Sequence, residues 1–153
     1  MLKITDPAPD FTLPQDGGAP VTLSAQRPAP VVLFFYPRDD TSGCTKEAIG
    51  FSDHAAAFEA LGVKLFGISK DTVEKHAKFR AKHGLTVPLL SDAEGTTCED
   101  YGVWKEKKMY GKTFMGIERT TVLIGADGTI AAHWPKVKVA GHVEAVLDAA
   151  KAL

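Results

Sequence analysis

An unbroken apolar run occupies residues 31–36 and reads Val-Val-Leu-Phe-Phe-Tyr. Branched and aromatic residues without polar interruption predict a central strand that is covered on both faces. Residues 63–69 predict a second buried strand. Residues 11–13 and 21–23 flank the turn-like sequence Gln-Asp-Gly-Gly and predict a hairpin near the N-terminus.

Helical periodicity follows the first buried strand. Apolar residues recur at steps of three and four from Cys44 to Phe58, with Ala48, Phe51 and Ala55 between them. This spacing predicts one helix whose buried stripe begins at the cysteine. Further helices are predicted at residues 72–83, 97–101 and 143–152, and a short extended segment is predicted at 87–90.

A second hairpin is predicted near the C-terminus, where Ala126-Asp127-Gly128 lies between the predicted strands 120–124 and 130–134. Strands alternate with helices in the middle of the chain, and hairpins lie at both ends. This order predicts an α/β fold with a mixed central sheet flanked by helices, as in the thioredoxin-like architecture. We expect residues 1–153 to form a single domain, because that length suits one core.

Charge and composition narrow the range of partners. Eighteen basic and nineteen acidic residues give a formal net charge of -1, so no positive field favours nucleic acid or an anionic membrane. The first residues lack the apolar core of a secretory signal, and no apolar run is long enough to span a membrane. We therefore expect a cytoplasmic protein that acts on small molecules or other proteins.

Cysteine and histidine spacing does not predict a metal site. Cys44 and Cys98 are the two cysteines, and their separation fits neither a metal site nor a Cys-x-x-Cys motif. The five histidines show no ligand spacing, and we interpret them as solvated or structural. We interpret the adjacent Asp39 and Asp40 as loop residues that bond the backbone or face water. No metal or organic cofactor is predicted.

The most informative segment is residues 36–48, Tyr-Pro-Arg-Asp-Asp-Thr-Ser-Gly-Cys-Thr-Lys-Glu-Ala, where a strand ends and Cys44 begins a helix. Unpaired N–H groups and the helix dipole favour a thiolate in the first helical turn. Cleavage of a peroxide O–O bond by that thiolate also needs donors around the reacting oxygens. Thr41 offers a hydroxyl, Gly43 allows close approach of the backbone, and Pro37 fixes the start of the loop.

Arg119 is the best candidate for a cation that completes this site. It immediately precedes the predicted strand at residues 120–124, whose end could lie beside the helix of Cys44. A guanidinium keeps its proton, so it would favour the thiolate and hold a peroxide oxygen. Taken singly, Thr41 could be only a turn or cap residue and Arg119 only a surface ion-pair partner.

The pattern Pro37-x-x-x-Thr41-x-x-Cys44 resembles the active-site signature of the peroxiredoxins, and its surroundings resemble the peroxiredoxin Q, or bacterioferritin comigratory protein, subfamily. The resemblance spans nearly the whole chain. It also includes Asp-x-Ala-Pro-x-Phe-x-Leu at residues 6–13, Tyr-Gly-Val-Trp at 101–104, Lys-Thr at 112–113 and Arg-Thr-Thr at 119–121.

This resemblance implies that Cys44 attacks hydrogen peroxide or an organic hydroperoxide and becomes a sulfenic acid, without a cofactor. It implies that Thr41 and Arg119 position the peroxide, that Pro37 shields the pocket, and that Glu47 supports the site. Thioredoxin, glutaredoxin or a small thiol would complete the reduction. The resemblance also favours a monomer.

The chain departs from the subfamily at the resolving cysteine. Many members have one five residues after the peroxidatic cysteine, where this chain has Ile49, and others have one near residues 79–81, where it has none. Cys98 remains the sole internal candidate. In folds of this family its helix lies across the sheet from Cys44, and Glu99 and Asp100 would disfavour its thiolate. We therefore expect a one-cysteine cycle.

Two other functions use the same residues. A thiol–disulfide oxidoreductase would normally need a second cysteine close to Cys44, and residues 42, 43, 45 and 46 are not cysteines. A redox sensor or binding module would use oxidation of Cys44 to change a partner surface. The rate of Cys44 oxidation by peroxide separates the sensor from the enzyme.

Overall fold

A computed structural model describes residues 2–153 as a seven-stranded mixed sheet with helices on its faces and a separate two-stranded ribbon. The strands are β1 (Thr12–Gln15), β2 (Gly18–Thr22), β3 (Val31–Phe35), β4 (Lys64–Ser69), β5 (Leu89–Ser91), β6 (Trp104–Met109), β7 (Lys112–Ile117), β8 (Thr120–Ile124) and β9 (Ile130–Trp134). The helices are α1 (Ser42–Asp53), α2 (Ala55–Ala60), α3 (Val73–His83), α4 (Thr97–Asp100) and α5 (His142–Lys151).

The order of strands in the large sheet is β2-β1-β5-β4-β3-β8-β9. The β3, β4 and β5 strands run parallel, whereas β8 pairs antiparallel with β3, and β1 pairs antiparallel with β5. This confirms the predicted mixed α/β sheet of the thioredoxin-like class. Both predicted terminal hairpins, β1–β2 and β8–β9, are also present.

Alternation along β3 divides the core into two layers. Val31, Leu33 and Phe35 belong to one apolar cluster, and Val32 and Phe34 belong to the other. Successive side chains of a strand point to opposite faces, so the two clusters lie on opposite sides of the sheet. The α1, α2, α3 and α5 helices contribute to the second cluster, whereas α4 and the N-terminal segment contribute to the first.

The helix predicted from Cys44 to Phe58 is wrong as one unbroken element. The chain leaves helical geometry at His54 (φ -99°, ψ 4°), and α2 begins at the next residue. The Nδ1 atom of His54 lies 2.9 Å from the carbonyl oxygen of Gly50, a local side-chain bond of the kind that competes with helix continuation. Phe51 and Phe58 nevertheless share one buried cluster, which explains why the apolar spacing continued across the break.

The β6–β7 ribbon was not predicted. The β6 strand carries lysines at positions 105, 107 and 108 and lacks the apolar alternation of a half-buried strand, and most of β7 is exposed. The turn at Tyr110 and Gly111 has positive φ at both residues (53° and 74°), as a two-residue hairpin requires. The Tyr110-Gly111 dipeptide was the available sequence signal for this hairpin, because glycine readily adopts positive φ and is common at the second position of such turns.

Residues 2–153 contain no candidate for a membrane-spanning helix or for a metal site. No helix in that range combines the length and the apolar character needed to cross a membrane. The same part of the chain contains no group of three or more His, Cys, Asp or Glu side chains placed to hold a metal ion.

Candidate active site

Cys44 is the third residue of α1, so it lies in the first turn of the helix. Thr41 occupies the N-cap position, and its carbonyl accepts the first helical hydrogen bond from the N–H of Thr45 at 2.8 Å. The N–H groups of the first turn have no carbonyl partner within the helix, so they favour an anion at this end. The Cys44 side chain is 1% exposed, which places its sulfur under the protein surface.

Arg119 reaches the sulfur of Cys44 directly, with Nη2 donating to Sγ at 3.2 Å. The register of the sheet explains this placement. Phe35 at the end of β3 pairs with Thr120 at the start of β8, so the residue before Thr120 lies where the chain leaves β3 towards α1. Burial disfavours the guanidinium cation, but Glu47 and Cys44 more than offset that effect and raise the pKa of Arg119.

Gly43 provides the space that the guanidinium occupies. A Cβ atom at this position would lie 3.0 Å from Nη2 of Arg119 and 3.7 Å from its Cζ. A distance of 3.0 Å is well inside ordinary van der Waals contact, so a side chain here would push the arginine away. The glycine thus allows a cation to pack against the first turn of α1.

Glu47 lies one turn after Gly43 and is fully buried. Its Oε1 accepts a hydrogen bond from Nη1 of Arg119 at 2.8 Å. Burial raises the pKa of Glu47 to about 7, although Arg119 acts in the opposite direction. Arg119 therefore bridges Cys44 and Glu47, and its orientation depends on both.

The second carboxylate oxygen of Glu47 has no hydrogen-bond partner among residues 2–153. Nε2 of His142 lies 4.0 Å from that oxygen and 2.7 Å from the hydroxyl oxygen of Thr121. Burial and the nearby Arg119 lower the pKa of His142 to about 4, so its ring is neutral at pH 7. The sequence spacing gave no signal for this histidine.

The chain is similar to known proteins in both sequence and structure. Residues 4–133 match the AhpC/TSA family. The chain belongs to this family. A putative peroxiredoxin Bcp of Coxiella burnetii is 49% identical over 146 residues, covering 95% of this chain and 97% of that protein. Peroxiredoxin Bcp of Bacillus subtilis is 45% identical over 150 residues, covering 98% and 96%.

A solved structure gives the same result for the fold. Bacterioferritin comigratory protein of Xanthomonas campestris has a TM-score of 0.92 and 42% identity, with 99% of this chain and 96% of that chain covered. The resemblance to peroxiredoxin Q and Bcp is therefore confirmed. This member of the AhpC/TSA family is a thiol-dependent peroxidase, and the predicted class of reaction is confirmed with it.

Thr41 of this peroxiredoxin is exposed, and its hydroxyl donates to the carbonyl of Arg38 at 2.9 Å. The hydroxyl proton is thus already used, and the oxygen is left as an acceptor. Thr41 is at the N-cap position, but its side chain does not cap the helix. Pro37 is half-buried at the start of the same loop, directly after the buried Tyr36.

A second cation near the site comes from the ribbon of this AhpC/TSA protein. Partial burial and the charge of Arg119 lower the pKa of Lys107, while Cys44 and Glu118 act in the opposite direction. Gly116 on β7 lies close to this lysine, and a Cβ there would lie 3.2 Å from Cδ of Lys107. Sequence reasoning missed Lys107 because the ribbon that carries it was not predicted.

Cys98 lies in the other apolar layer of this peroxiredoxin, fully buried, whereas Cys44 belongs to the layer across the sheet. Burial first, and then Asp92, raise the pKa of the Cys98 thiol well above its ordinary value. Glu99 disfavours the Cys98 thiolate as predicted, but Asp92 has the larger effect and also accepts the backbone N–H of Cys98 at 2.8 Å. Glu99 contributes less.

Proposed function

We propose that Cys44 is the peroxidatic cysteine of a one-cysteine cycle that reduces hydrogen peroxide and organic hydroperoxides. The observation that carries this proposal is the 3.2 Å contact from Arg119 to a sulfur in the first turn of α1. A permanent cation and a helix N-terminus both favour the thiolate, which is the nucleophile. Both also favour the negative charge that develops on the leaving oxygen.

In the first step the Cys44 thiolate attacks the terminal oxygen of ROOH. The S–O bond forms while the O–O bond breaks, and RO⁻ takes up a proton to leave as ROH, or as water when R is hydrogen. Cys44 is oxidised to a sulfenic acid and the peroxide is reduced. Arg119 would hold the reacting oxygens, and the Thr41 oxygen would accept a hydrogen bond from the O–H of the incoming hydroperoxide.

Glu47, Gly43 and Pro37 would act through these groups. Glu47 would orient the guanidinium through its 2.8 Å bond, and Gly43 would leave the space for it. Pro37 would shield the site from water at the start of the loop. None of the three contacts the sulfur, so each would support the reaction indirectly.

In the second step a thiol R′SH attacks the sulfenic sulfur, and water leaves as a mixed disulfide forms. A second thiol then releases Cys44 and becomes half of a new disulfide. We propose thioredoxin as this reductant, with glutaredoxin or a small thiol as the other candidates. The external source is supported by the position of Cys98 across the sheet and by the isoleucine at position 49.

Stopped-flow mixing with hydrogen peroxide tests the first step. We expect Cys44 to be oxidised at least a thousandfold faster than a free cysteine, and Arg119→Ala or Thr41→Val to slow this by about a hundredfold, or about 2.7 kcal/mol. A rate for the native protein close to that of a free thiol would favour a redox sensor instead. The same assay with cumene hydroperoxide gives the substrate range.

Mass spectrometry of the peroxide-treated protein tests the second step. A sulfenic acid on Cys44, trapped by dimedone, is expected as the main product. An internal disulfide between Cys44 and Cys98 as the main product would overturn the one-cysteine cycle. We also propose a monomer in a reducing cytoplasm, and sedimentation equilibrium tests the oligomeric state.

A further inference from the structure

A buried hydrogen-bonded group lies behind the loop that leads to Cys44. Nδ1 of His76 is 2.6 Å from Oδ2 of Asp39, and the hydroxyl of Tyr36 donates to Oδ1 of the same carboxylate at 2.6 Å. The His76 side chain is fully buried and that of Asp39 is 5% exposed. The peroxidase chemistry described above uses none of these three side chains.

The partners of the imidazole fix its protons. Nε2 of His76 lies 3.0 Å from the carbonyl oxygen of Leu90, which can only accept, so Nε2 carries a proton. Nδ1 faces a carboxylate oxygen whose neighbour already accepts from Tyr36. A further proton must therefore lie between Nδ1 and Asp39. The pair is then either an imidazolium with a carboxylate or a neutral imidazole with a carboxylic acid.

The surroundings favour that proton on the ring. Asp71 is the other charged group of this cluster, and its carboxylate accepts the backbone N–H of Asp39 at 2.8 Å and the hydroxyl of Ser69 at 2.7 Å. Burial and Asp39 raise the pKa of Tyr36, so this hydroxyl stays a neutral donor. A carboxylate that accepts two hydrogen bonds is stabilised as the anion. If the proton lay on Asp39 instead, both side chains would be neutral and the charge-assisted hydrogen bond between them would be lost.

The group joins the active-site loop to two neighbouring elements. Asp39 lies in the loop between β3 and α1, Tyr36 directly follows β3, and His76 lies on α3. Thr41 follows Asp39 by two residues. A fixed Asp39 therefore limits where the Thr41 oxygen and the first turn of α1 can lie.

We propose that His76, as an imidazolium paired with Asp39, is a positioning residue for the peroxide site. The buried ion pair holds residues 37–41 so that Thr41 and the start of α1 face the incoming peroxide. This inference rests on the proposed peroxidase function, because it assigns a role within that site. The His76–Asp39 pair acts on the reaction through the loop and does not contact the sulfur.

The chain offers a matched pair of substitutions. Asp39→Asn keeps every hydrogen bond if the ring becomes neutral, since the amide donates to Nδ1 and its oxygen still accepts from Tyr36. It therefore removes the charge of the pair with little change in shape. Asp40→Asn is the control, because Asp40 contacts Lys82 and His83 on the same helix from the exposed side.

Nitrogen-15 NMR of the native protein, with the His76 signals assigned through His76→Gln, measures the proton count. We expect two ring N–H groups on His76 at pH 7 and a single one in Asp39→Asn. A native ring with one N–H would overturn the imidazolium. This readout does not depend on peroxidase activity, so it remains decisive even if the proposed function fails.

Stopped-flow oxidation of Cys44 by hydrogen peroxide measures the positioning. We expect Asp39→Asn and His76→Gln each to slow oxidation about tenfold, the double variant to be no slower than either, and Asp40→Asn to stay within twofold. Thermal unfolding of each variant establishes that it is folded at the assay temperature. A folded Asp39→Asn variant with the native rate would overturn the proposal, because a merely stabilising pair would lower the melting temperature and leave the rate unchanged.

Discussion

At the scale of single residues, the contacts of Arg119 organise the site. Its guanidinium bonds Cys44 and Glu47 with different nitrogens and fills the space left by Gly43. The arginine stays charged at any physiological pH, whereas its buried carboxylate partner titrates near neutrality. Small changes at the neighbours should therefore alter both reaction rate and stability.

Replacing Gly43 by alanine should displace the guanidinium by a few tenths of an ångström. We expect the rate of Cys44 oxidation in stopped flow to fall about tenfold, which is about 1.4 kcal/mol of activation free energy. Gly50→Ala is the control, since its Cβ would also lie 3.0 Å from a side chain of the same region, that of Val143. An equal loss of rate in both variants would show that crowding of α1, and not Arg119, is responsible.

Glu47 should make stability depend on pH. Its pKa is raised from 4.5 to about 7, so the folded protein binds this proton more tightly and loses stability as pH rises through that window. Glu47→Gln removes the effect. We expect the native protein to lose on the order of 2 to 3 kcal/mol relative to Glu47→Gln between pH 4.5 and pH 8, measured by urea denaturation.

His142 should have the opposite dependence. Its pKa is lowered from 6.5 to about 4, so the unfolded chain binds the proton more tightly and stability is lost as pH falls from about 6.5 to 4. In His142→Gln we expect unfolding experiments to show a smaller loss of stability between pH 6.5 and 4 and an unchanged loss towards high pH. A variant whose stability still falls between pH 6.5 and 4 as in the native protein would contradict this assignment.

The sequence predicted the chemistry-bearing residues better than their contacts. The signature around Cys44 named Thr41, and the position before the strand at residues 120–124 named Arg119, yet spacing gave no sign of the ion pair between His76 and Asp39. Those two residues are 37 positions apart, and histidine is common on both surfaces and interiors. Only the packing of α3 against the loop brings them together, and a single sequence does not contain that information.

At the scale of elements, the strongly patterned segments were predicted well. The β3 strand is a continuous apolar run and β8 ends in one, and the structure places the two strands side by side and buried in the large sheet. The β6–β7 ribbon was missed because exposed strands need no apolar alternation. Lys107 was therefore not predicted as a site residue, because only the position of the ribbon brings its charge near those of Arg119 and Cys44.

Arg80 should be a structural link between α3 and the first hairpin. It bonds both carboxylate oxygens of the buried Asp16, at 2.6 and 3.1 Å, and also the carbonyls of Leu85 and Val87. Removing it leaves a buried carboxylate unpaired, so we expect Arg80→Ala to lower the free energy of unfolding by about 3 kcal/mol. Lys82→Ala removes an exposed ion pair instead, and its loss should stay below about 1 kcal/mol in the same urea titration.

At the scale of the whole molecule, the sheet separates the two cysteines. Their assignment to different layers follows from the alternation of β3, and it supports the proposal that an external thiol reduces Cys44. We expect Cys98→Ala to keep peroxide turnover within twofold of the native protein when dithiothreitol is the reductant, and Cys44→Ser to abolish it. A tenfold or greater loss in a folded Cys98→Ala variant would return Cys98 to the catalytic cycle.

The separation of the two cysteines also determines which of them is lost when the protein is over-oxidised. Under the proposed cycle, excess oxidant that drives the Cys44 sulfenic acid on to the sulfinic or sulfonic stage would consume one cysteine per chain, because Cys98 is buried across the sheet. Inactivation should therefore add oxygen atoms to Cys44 and leave the thiol of Cys98 unchanged. The peptide that contains the unmodified Cys98 then serves as an internal standard in mass spectrometry. The ratio of the oxidised Cys44 peptide to this standard gives the fraction of inactivated enzyme in a cell extract.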